Sequence, residues 1–429
     1  MKADVNLLLD NLSNTDVNIR LDSLKRLMNR IEAGKLEKPL AGKDVNNHIH
    51  TSYSFSPYSP TKAIWMAYTS GLATAGIMDH DSIGGAGEFI GAGKIAGIMT
   101  TIGVECRADF SKTSLKGRRI NNPDQDSVAY VALHGIPHTQ IDAVKEFFKP
   151  YTAYRNMRNI EMIKNINDLM KPSGIKLSFE KDIVPLSSFQ DGGSITERHI
   201  LFALSLKLIA LTGKGLPLVD FLKNRLKLAV SSKSESYLLD SSNPHYEYDL
   251  LGLLKGELVS SIYVNASDEC PDITEIIRFS DSIGAICAYA YLGDVGNSVT
   301  GDKRAQKFED DYIFELFELL HSLGIKAVTY MPSRNSMAQL DMVRALCDRY
   351  SLFQISGEDI NSPRQPFICT ALRNEKFNNL YEATWALVGH ELAATENLDS
   401  GMFSPQSISK YPSLEQRIKV YMRIGQNNI

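Results

Sequence analysis

The chain has 429 residues, 43% hydrophobic and 22% charged, the proportions of an ordinary folded protein and not of a disordered or fibrous one. A formal charge of −4 and a pI near 6.2 argue against nucleic-acid binding through bulk electrostatics and leave only a local basic groove as an option. There is no run of 18 or more apolar residues, and the start Met1-Lys2-Ala3-Asp4-Val5-Asn6 has no apolar core, so a cytoplasmic protein without a membrane partner is expected.

Five cysteines, Cys106, Cys270, Cys287, Cys347 and Cys369, form no CxxC pair and read as reduced thiols. The length exceeds one minimal domain and fits a large α/β barrel carrying an insertion, or two to three smaller units.

Residues 1–43 read as a helical lead-in, because Val5, Leu8, Leu9, Leu12, Ile19, Leu21, Leu24 and Leu27 recur at helical spacings. From about Lys43 to Gly135 short apolar stretches alternate with Gly-rich turns and amphipathic segments, the rhythm of βα units. Between roughly residues 142 and 271 long helical patterns replace it, as in Val144 to Leu169 and His199 to Leu211. From Tyr151 to Val230 there are 12 Lys and Arg against 7 Asp and Glu, so this inserted helical subdomain is mildly basic.

After Pro271 the βα rhythm returns: helix from Ile273, apolar run Ala285 to Leu292, helix from Phe308, strand Ile325 to Met331, helix Met337 to Tyr350, strand Leu352 to Ser356. An α/β fold split by the insertion is expected, with barrel segments 44–141 and 272–365 and a helical tail 366–429.

The chemistry-bearing residues cluster at strand ends. In Asn46-Asn47-His48-Ile49-His50-Thr51 the two histidines stand two apart, so on a strand both imidazoles project from one face. Asp79-His80-Asp81-Ser82 and Gly103-Val104-Glu105 follow the next two apolar runs, and Gly357-Glu358-Asp359-Ile360-Asn361 follows the last. In βα barrels, metal and catalytic groups sit at the carboxyl ends of strands. Gly84-Gly85-Ala86-Gly87 and Gly91-Ala92-Gly93 match neither GxGxxG nor GxxxxGK[ST] and read as packing or turn glycines. His138, His245, His321 and His390 have no ligand cluster around them in the sequence.

In their order and spacing, His48-Ile49-His50-Thr51-Ser52-Tyr53-Ser54, Asp79-His80-Asp81, Gly103-Val104-Glu105 and Gly357-Glu358-Asp359 resemble the PHP (polymerase and histidinol phosphatase) metal-dependent phosphoesterases over about residues 44 to 365. The resemblance implies a distorted TIM-like (β/α)7 barrel with up to three divalent metals. It matches His48, His50, Glu105 and Asp359 to ligands of a first metal, Glu105 bridging to a second, His134 to the second metal's histidine and His80 to the third.

Three departures reduce that set. Phe55 stands where many relatives have an aspartate, Asn361 where they have the last histidine, and Tyr289 where they have the histidine of Ala-His-Pro. The resemblance thus implies one or two divalent ions (Zn, Mn or Fe), with the first site complete. Phosphoryl charge would then fall partly to arginines. The candidates are Arg334 just after a barrel strand, Arg198, and Arg107 two past Glu105, with His199 resembling a substrate-reaching histidine of relatives. Asp79 and Asp81 are candidate orienters of imidazole.

The function expected is hydrolysis of a small phosphorylated molecule, a phosphomonoester or nucleotide-like compound, by metal-activated water. The alternatives are a non-catalytic metal- or partner-binding relative, or a hydrolase of a non-phosphate bond as in amidohydrolase barrels.

Overall fold

The computed structural model describes residues 2–295 and 306–428. Seven strands form one curled sheet in chain order: β1 (Val45–Ile49), β2 (Thr74–His80), β3 (Met99–Asp109), β4 (Val128–His134), β5 (Ile286–Ala290), β6 (Ala327–Tyr330) and β7 (Phe353–Ser356). The curl brings its edges together at the parallel bridge Ile49–Ile360, where the His50 N–H donates to the Ile360 carbonyl at 3.0 Å and the Ile360 N–H to that of His48 at 3.1 Å.

The pairing is parallel except at β4, which runs antiparallel to both β3 and β5. The expectation of uniform βα units is corrected here. A parallel return needs a crossover of a dozen or more residues, usually helical, and no helix forms between Asp109 and Val128. The Phe110 N–H instead donates to the Ser127 carbonyl at 2.8 Å, so the chain doubles straight back.

Side chains alternate across each strand. Val45 and Ile49 of β1, Ala75 and Ile77 of β2, and Val104, Cys106 and Ala108 of β3 pack in the main apolar core, which leaves Asn46, His48, Glu105 and Arg107 for the opposite face. The helices Pro60–Thr69 and Ala86–Ala96 belong to that core. The first starts as its sequence dictates: Ser59 caps it, accepting from the Lys62 N–H, with Pro60 at the first helical position.

The foot of the curl is closed by the helix Asn378–Glu396. Its Ala383, Ala386 and Leu387 pack on Ile286, Ala288, Ala327, Phe353 and Ile355. The helix Leu414–Gln426 lies behind it at glycine contacts: a Cβ on Gly389 would stand 1.9 Å from the Tyr421 carbonyl oxygen, and one on Gly425 2.2 Å from that of Trp385. Two helices, Lys2–Asn11 and Val17–Glu32, precede β1 and pack Leu8, Leu12, Leu24 and Leu27 into the main core.

Residues 162–262 build a second apolar core around the helices Ile141–Met170, Glu197–Thr212 and Tyr246–Ile262, and Phe55 belongs to it although it lies in the loop after β1. Among the described residues no single helix is long and apolar enough to cross a membrane.

Candidate metal centre and adjoining pocket

Adjacent strands bring distant residues to one level. His80 and Glu105 are register partners on β2 and β3, and on that shared face Nδ1 of His80 lies 3.1 Å from Oε2 of Glu105. The same oxygen is 3.7 Å from Nε2 of His48 and 3.8 Å from Nε2 of His50. Nε2 of His50 is 3.2 Å from Nε2 of His48 and 3.2 Å from Oδ1 of Asp359.

His48 is held closely from the neighbouring strand end. A Cβ on Gly357 would come within 2.7 Å of its Cβ and backbone nitrogen. Asn46 locks the same corner, accepting from the His48 N–H at 2.9 Å and donating to the Glu358 carbonyl at 3.1 Å.

His50 is oriented by a polar relay. Asp79 accepts from the Thr51 N–H at 2.7 Å, the Thr51 hydroxyl at 2.6 Å and the Ser54 hydroxyl at 2.6 Å. With its proton committed to Asp79, Ser54 accepts from Nδ1 of His50 at 3.3 Å. That tautomer leaves Nε2 of His50 as a bare lone pair facing the cluster. Asp79 thus fills the orienting role expected of it, while Asp81 faces Arg155 Nη2 at 2.5 Å.

The 3.2 Å separation of the two Nε2 atoms, with carboxylate oxygens beside them, suits either an N–H···N hydrogen bond between the rings or a metal ion shared by both. Donors about 2.0–2.1 Å from one tetrahedral ion stand about 3.3–3.4 Å from each other, and the 3.2–3.8 Å separations here bracket that edge. Nε2 of His48, Nε2 of His50 and an oxygen of Glu105 form a buried three-donor group; Asp359 adjoins it through His50 and His80 through Glu105. The residues fit a divalent ion.

Electrostatics agrees. Burial pushes the Glu105 carboxyl up, but His48, His80 and His50 outweigh it and bring it to about 2. Burial also opposes ionisation of Asp359, and the His50 contact with the charges of His48 and Arg198 holds it well below the carboxylate range. Burial lowers His80 to about 3 against the pull of Glu105, so its ring is neutral and open to ligation.

Three sequence expectations change. Because β4 runs antiparallel, its carboxyl end points away from the donor group: Glu105 pairs with Ala132, His134 lies two residues further along β4, and Gly135 beyond it abuts His390 and Leu387 of the closing helix. His134 is buried, its Nε2 has no partner, and burial lowers it to about 3. The β4 residue level with Glu105 is Ala132, and Tyr130, paired with Arg107 on the pocket side, has its ring 5.9 Å from that of His80.

Tyr289 packs in the helix-covered core, its hydroxyl donating to Oε1 of Glu309 at 3.1 Å. It cannot serve as a phenolate ligand, since burial and Glu309 push it well above the usual tyrosine range. Phe55 does more than vacate a ligand position: its ring packs on His199, Phe202 and Tyr248. Asn361 is at the site, where its amide donates to Oδ1 of Asp359 at 2.6 Å.

The expected substrate-binding residues divide. Arg198 lines a pocket with His80, Arg107, Asp124, Tyr130, Arg155, Thr196, Glu197, Lys255 and Val259. His199, one residue on, is buried with Nδ1 accepting from the Thr196 N–H at 3.1 Å, so it caps its helix and packs on Phe55. Arg334 lies in the loop after β6, its Nε donating to the Leu292 carbonyl at 3.2 Å, outside the lining of that pocket. The loop still reaches the donor side, since Ser333 bonds Glu358.

Behind the pocket Arg107, Arg155 and Arg158 interlock with Asp81, Glu197 and Glu269. This network ties β3 and the loop after β2 to the helical segment. Sequence reasoning missed Tyr130 and Arg155; for Tyr130 a signal existed, the helix-free stretch before β4.

Comparison with known proteins places the fold. No family model matches the chain, nor does any curated protein. A solved structure from Bifidobacterium adolescentis, assigned in its description as a metal-dependent phosphoesterase, superposes with a TM-score of 0.50 at 17% identity over 78% of this chain and 92% of the other. An amidohydrolase from Chromobacterium violaceum, solved with bound sulfate and no metal, gives a TM-score of 0.47 at 16% identity, over 76% and 89%. The chain shares the α/β fold of the first.

Proposed function

We propose that this chain is a PHP-type metal-dependent phosphoesterase acting on a small phosphomonoester or nucleotide-like substrate. The observation that carries the reading is the convergence of His48, His50 and Glu105 at the edge lengths of one divalent site, beside a pocket lined by Arg107, Arg155, Arg198 and Lys255.

His48, His50 and Glu105 would hold a divalent ion, which would supply Lewis acidity and lower the pKa of water for hydrolysis. The protein's own groups do the rest. Asp79 and Ser54 hold His50 in the tautomer that offers Nε2. Glu105 and Asp359 stay ionised through the neutral pH range and offset the charge of the ion. Arg198 and Lys255 attract the substrate's phosphate. Asn361 fixes the rotamer of Asp359 through its amide.

The test is hydrolysis of p-nitrophenyl phosphate by chelator-treated chain before and after addition of Zn, Mn or Fe(II). Activity that returns with metal and is abolished by His50→Ala supports the reading. Metal binding without turnover on phosphomonoesters would favour a non-catalytic relative, for which the loss of a carboxylate at Phe55 is the observation.

A further inference from the structure

A second cavity, of about 220 Å³, opens between the helix Ile141–Met170 and the loop that leads to Pro271. Tyr154, Met157 and Glu161 line it from the helix, and Val264, Asn265 and Asp268 from the loop. The loop is pinned in place: Nη1 of Arg158 donates to the Val264 carbonyl at 3.1 Å, and Gln125 exchanges two hydrogen bonds with the Ala266 backbone at 2.6 and 2.7 Å. The groove is therefore formed before anything enters it, which lowers the ordering cost of binding.

Its floor is formally neutral. Arg158 and Glu269 bond each other at 2.6 Å and belong to the buried set in which Arg107, Arg155 and Arg158 face Asp81, Glu197 and Glu269. Two negative charges remain, because neither Glu161 nor Asp268 has an ion-pair or side-chain hydrogen-bond partner among the described residues, and Lys164, one turn along the helix, makes no ion pair with Glu161. The groove is thus acidic within a segment that is mildly basic, with 12 Lys and Arg against 7 Asp and Glu from Tyr151 to Val230.

The helix adds an apolar strip beside that charge. Tyr154, Met157 and Ile160 recur every three residues, so they share a face, and they are 45%, 64% and 48% exposed. Single exposed apolar side chains are ordinary, whereas neighbouring ones beside a cavity mark a surface that another molecule covers. An acidic rim next to apolar side chains complements a segment with one cation flanked by apolar residues, and the Tyr154 ring offers a guanidinium a face to stack on. At about 220 Å³ the cavity is below the roughly 300–1,000 Å³ that encloses a whole ligand. That size suits one side chain, with its backbone left at the rim.

We infer that this groove is a docking site for an extended segment of a partner protein, which inserts an arginine side chain against Glu161 and Asp268 and lays an apolar neighbour on Tyr154, Met157 and Ile160. The inference stands apart from the phosphoesterase reading, since none of these five residues belongs to the donor group or to the pocket beside it. The floor nevertheless reaches that pocket directly: Glu269 and Arg158 bond Arg107 and Glu197, which line it together with His80. A docked segment is therefore separated from the pocket by one layer of ion pairs.

The experiment is titration of the peptide acetyl-Leu-Arg-Leu-amide into the full chain labelled at its methionine methyls, followed by NMR at the Met157 methyl, which Met157→Leu identifies. A saturable shift is expected. Binding should weaken about fivefold or more when citrulline, the neutral isostere, replaces the arginine of the peptide, and by a similar factor in a chain carrying both Glu161→Gln and Asp268→Asn. Both positions are exposed, and circular dichroism checks that the fold is kept. No saturable shift, equal affinity for the citrulline peptide, or unchanged affinity in the double variant would overturn the docking site. A Met157 resonance that moves with the concentration of the chain alone would also overturn it, since a second copy would then cover this face.

Discussion

The ring of Phe55 stands edge-on to the imidazole of His199, centroids 4.9 Å apart and planes at 86°. The contact joins the loop after β1, one residue past Ser54 and four past Thr51, both of which are bonded to Asp79, to the core of the helical segment. A residue that reads in sequence as a lost ligand is therefore an apolar pin between the donor group and the helices beside it.

Phe55→Ala should lower stability by about 3–5 kcal/mol, the usual cost of truncating a buried aromatic ring. Denaturant unfolding measures it. A loss below ~1 kcal/mol would mean that the ring does not anchor the segment.

The relay through Ser54 sets the tautomer of His50. Ser54→Ala removes the hydroxyl that links Nδ1 of His50 to Asp79, and metal affinity should fall by roughly 10–100-fold, as is typical when an imidazole ligand loses its orienting partner. Competition against a chelating dye measures it, and unchanged affinity would remove the relay from the account.

Gly357 has no room for a side chain, since an added Cβ would meet the Cβ and backbone nitrogen of His48 at 2.7 Å. Gly357→Ala should displace His48, weaken metal binding and cost about 1–3 kcal/mol through overpacking. Thermal unfolding with and without metal separates the two effects.

Glu309 gives the protein a stability term that falls as pH rises. Its Oε1 accepts from the Tyr289 hydroxyl and, at 2.8 Å, from the Leu292 N–H, while buried Oε2 has no partner. Burial raises its pKa to about 7. The folded state therefore binds the proton more tightly than the unfolded one, so the stabilisation is full below the ordinary carboxyl pKa and is lost as pH rises through about 7. The loss is ~3 kcal/mol by pH 8. Glu309→Gln carries no charge and should match the wild type at pH 5 and exceed it at pH 8 in thermal unfolding.

The donor group was legible in sequence because strand alternation is a local rule. His48 and His50 two apart, and His80 and Glu105 at the ends of successive apolar runs, needed only parallel neighbouring strands to meet. The direction of β4 is not carried by alternation, so the sequence could not tell that Ala132, and not His134, pairs with Glu105. The stretch from Phe110 to Ser127 holds that information only by lacking a helix. Arg155 was not legible, because its approach to Asp81 depends on how the long helix Ile141–Met170 crosses the sheet. The role of Phe55 depends in the same way on contacts made more than a hundred residues away.

The central claim is that His48, His50 and Glu105 hold a divalent ion, and calorimetric titration of zinc into chelator-treated chain tests it most directly. The account predicts saturable binding at one dominant site, abolished by His50→Ala and by Glu105→Gln in variants that keep the wild-type circular dichroism spectrum. Absence of saturable binding to the wild type, or binding that survives both substitutions, would contradict it.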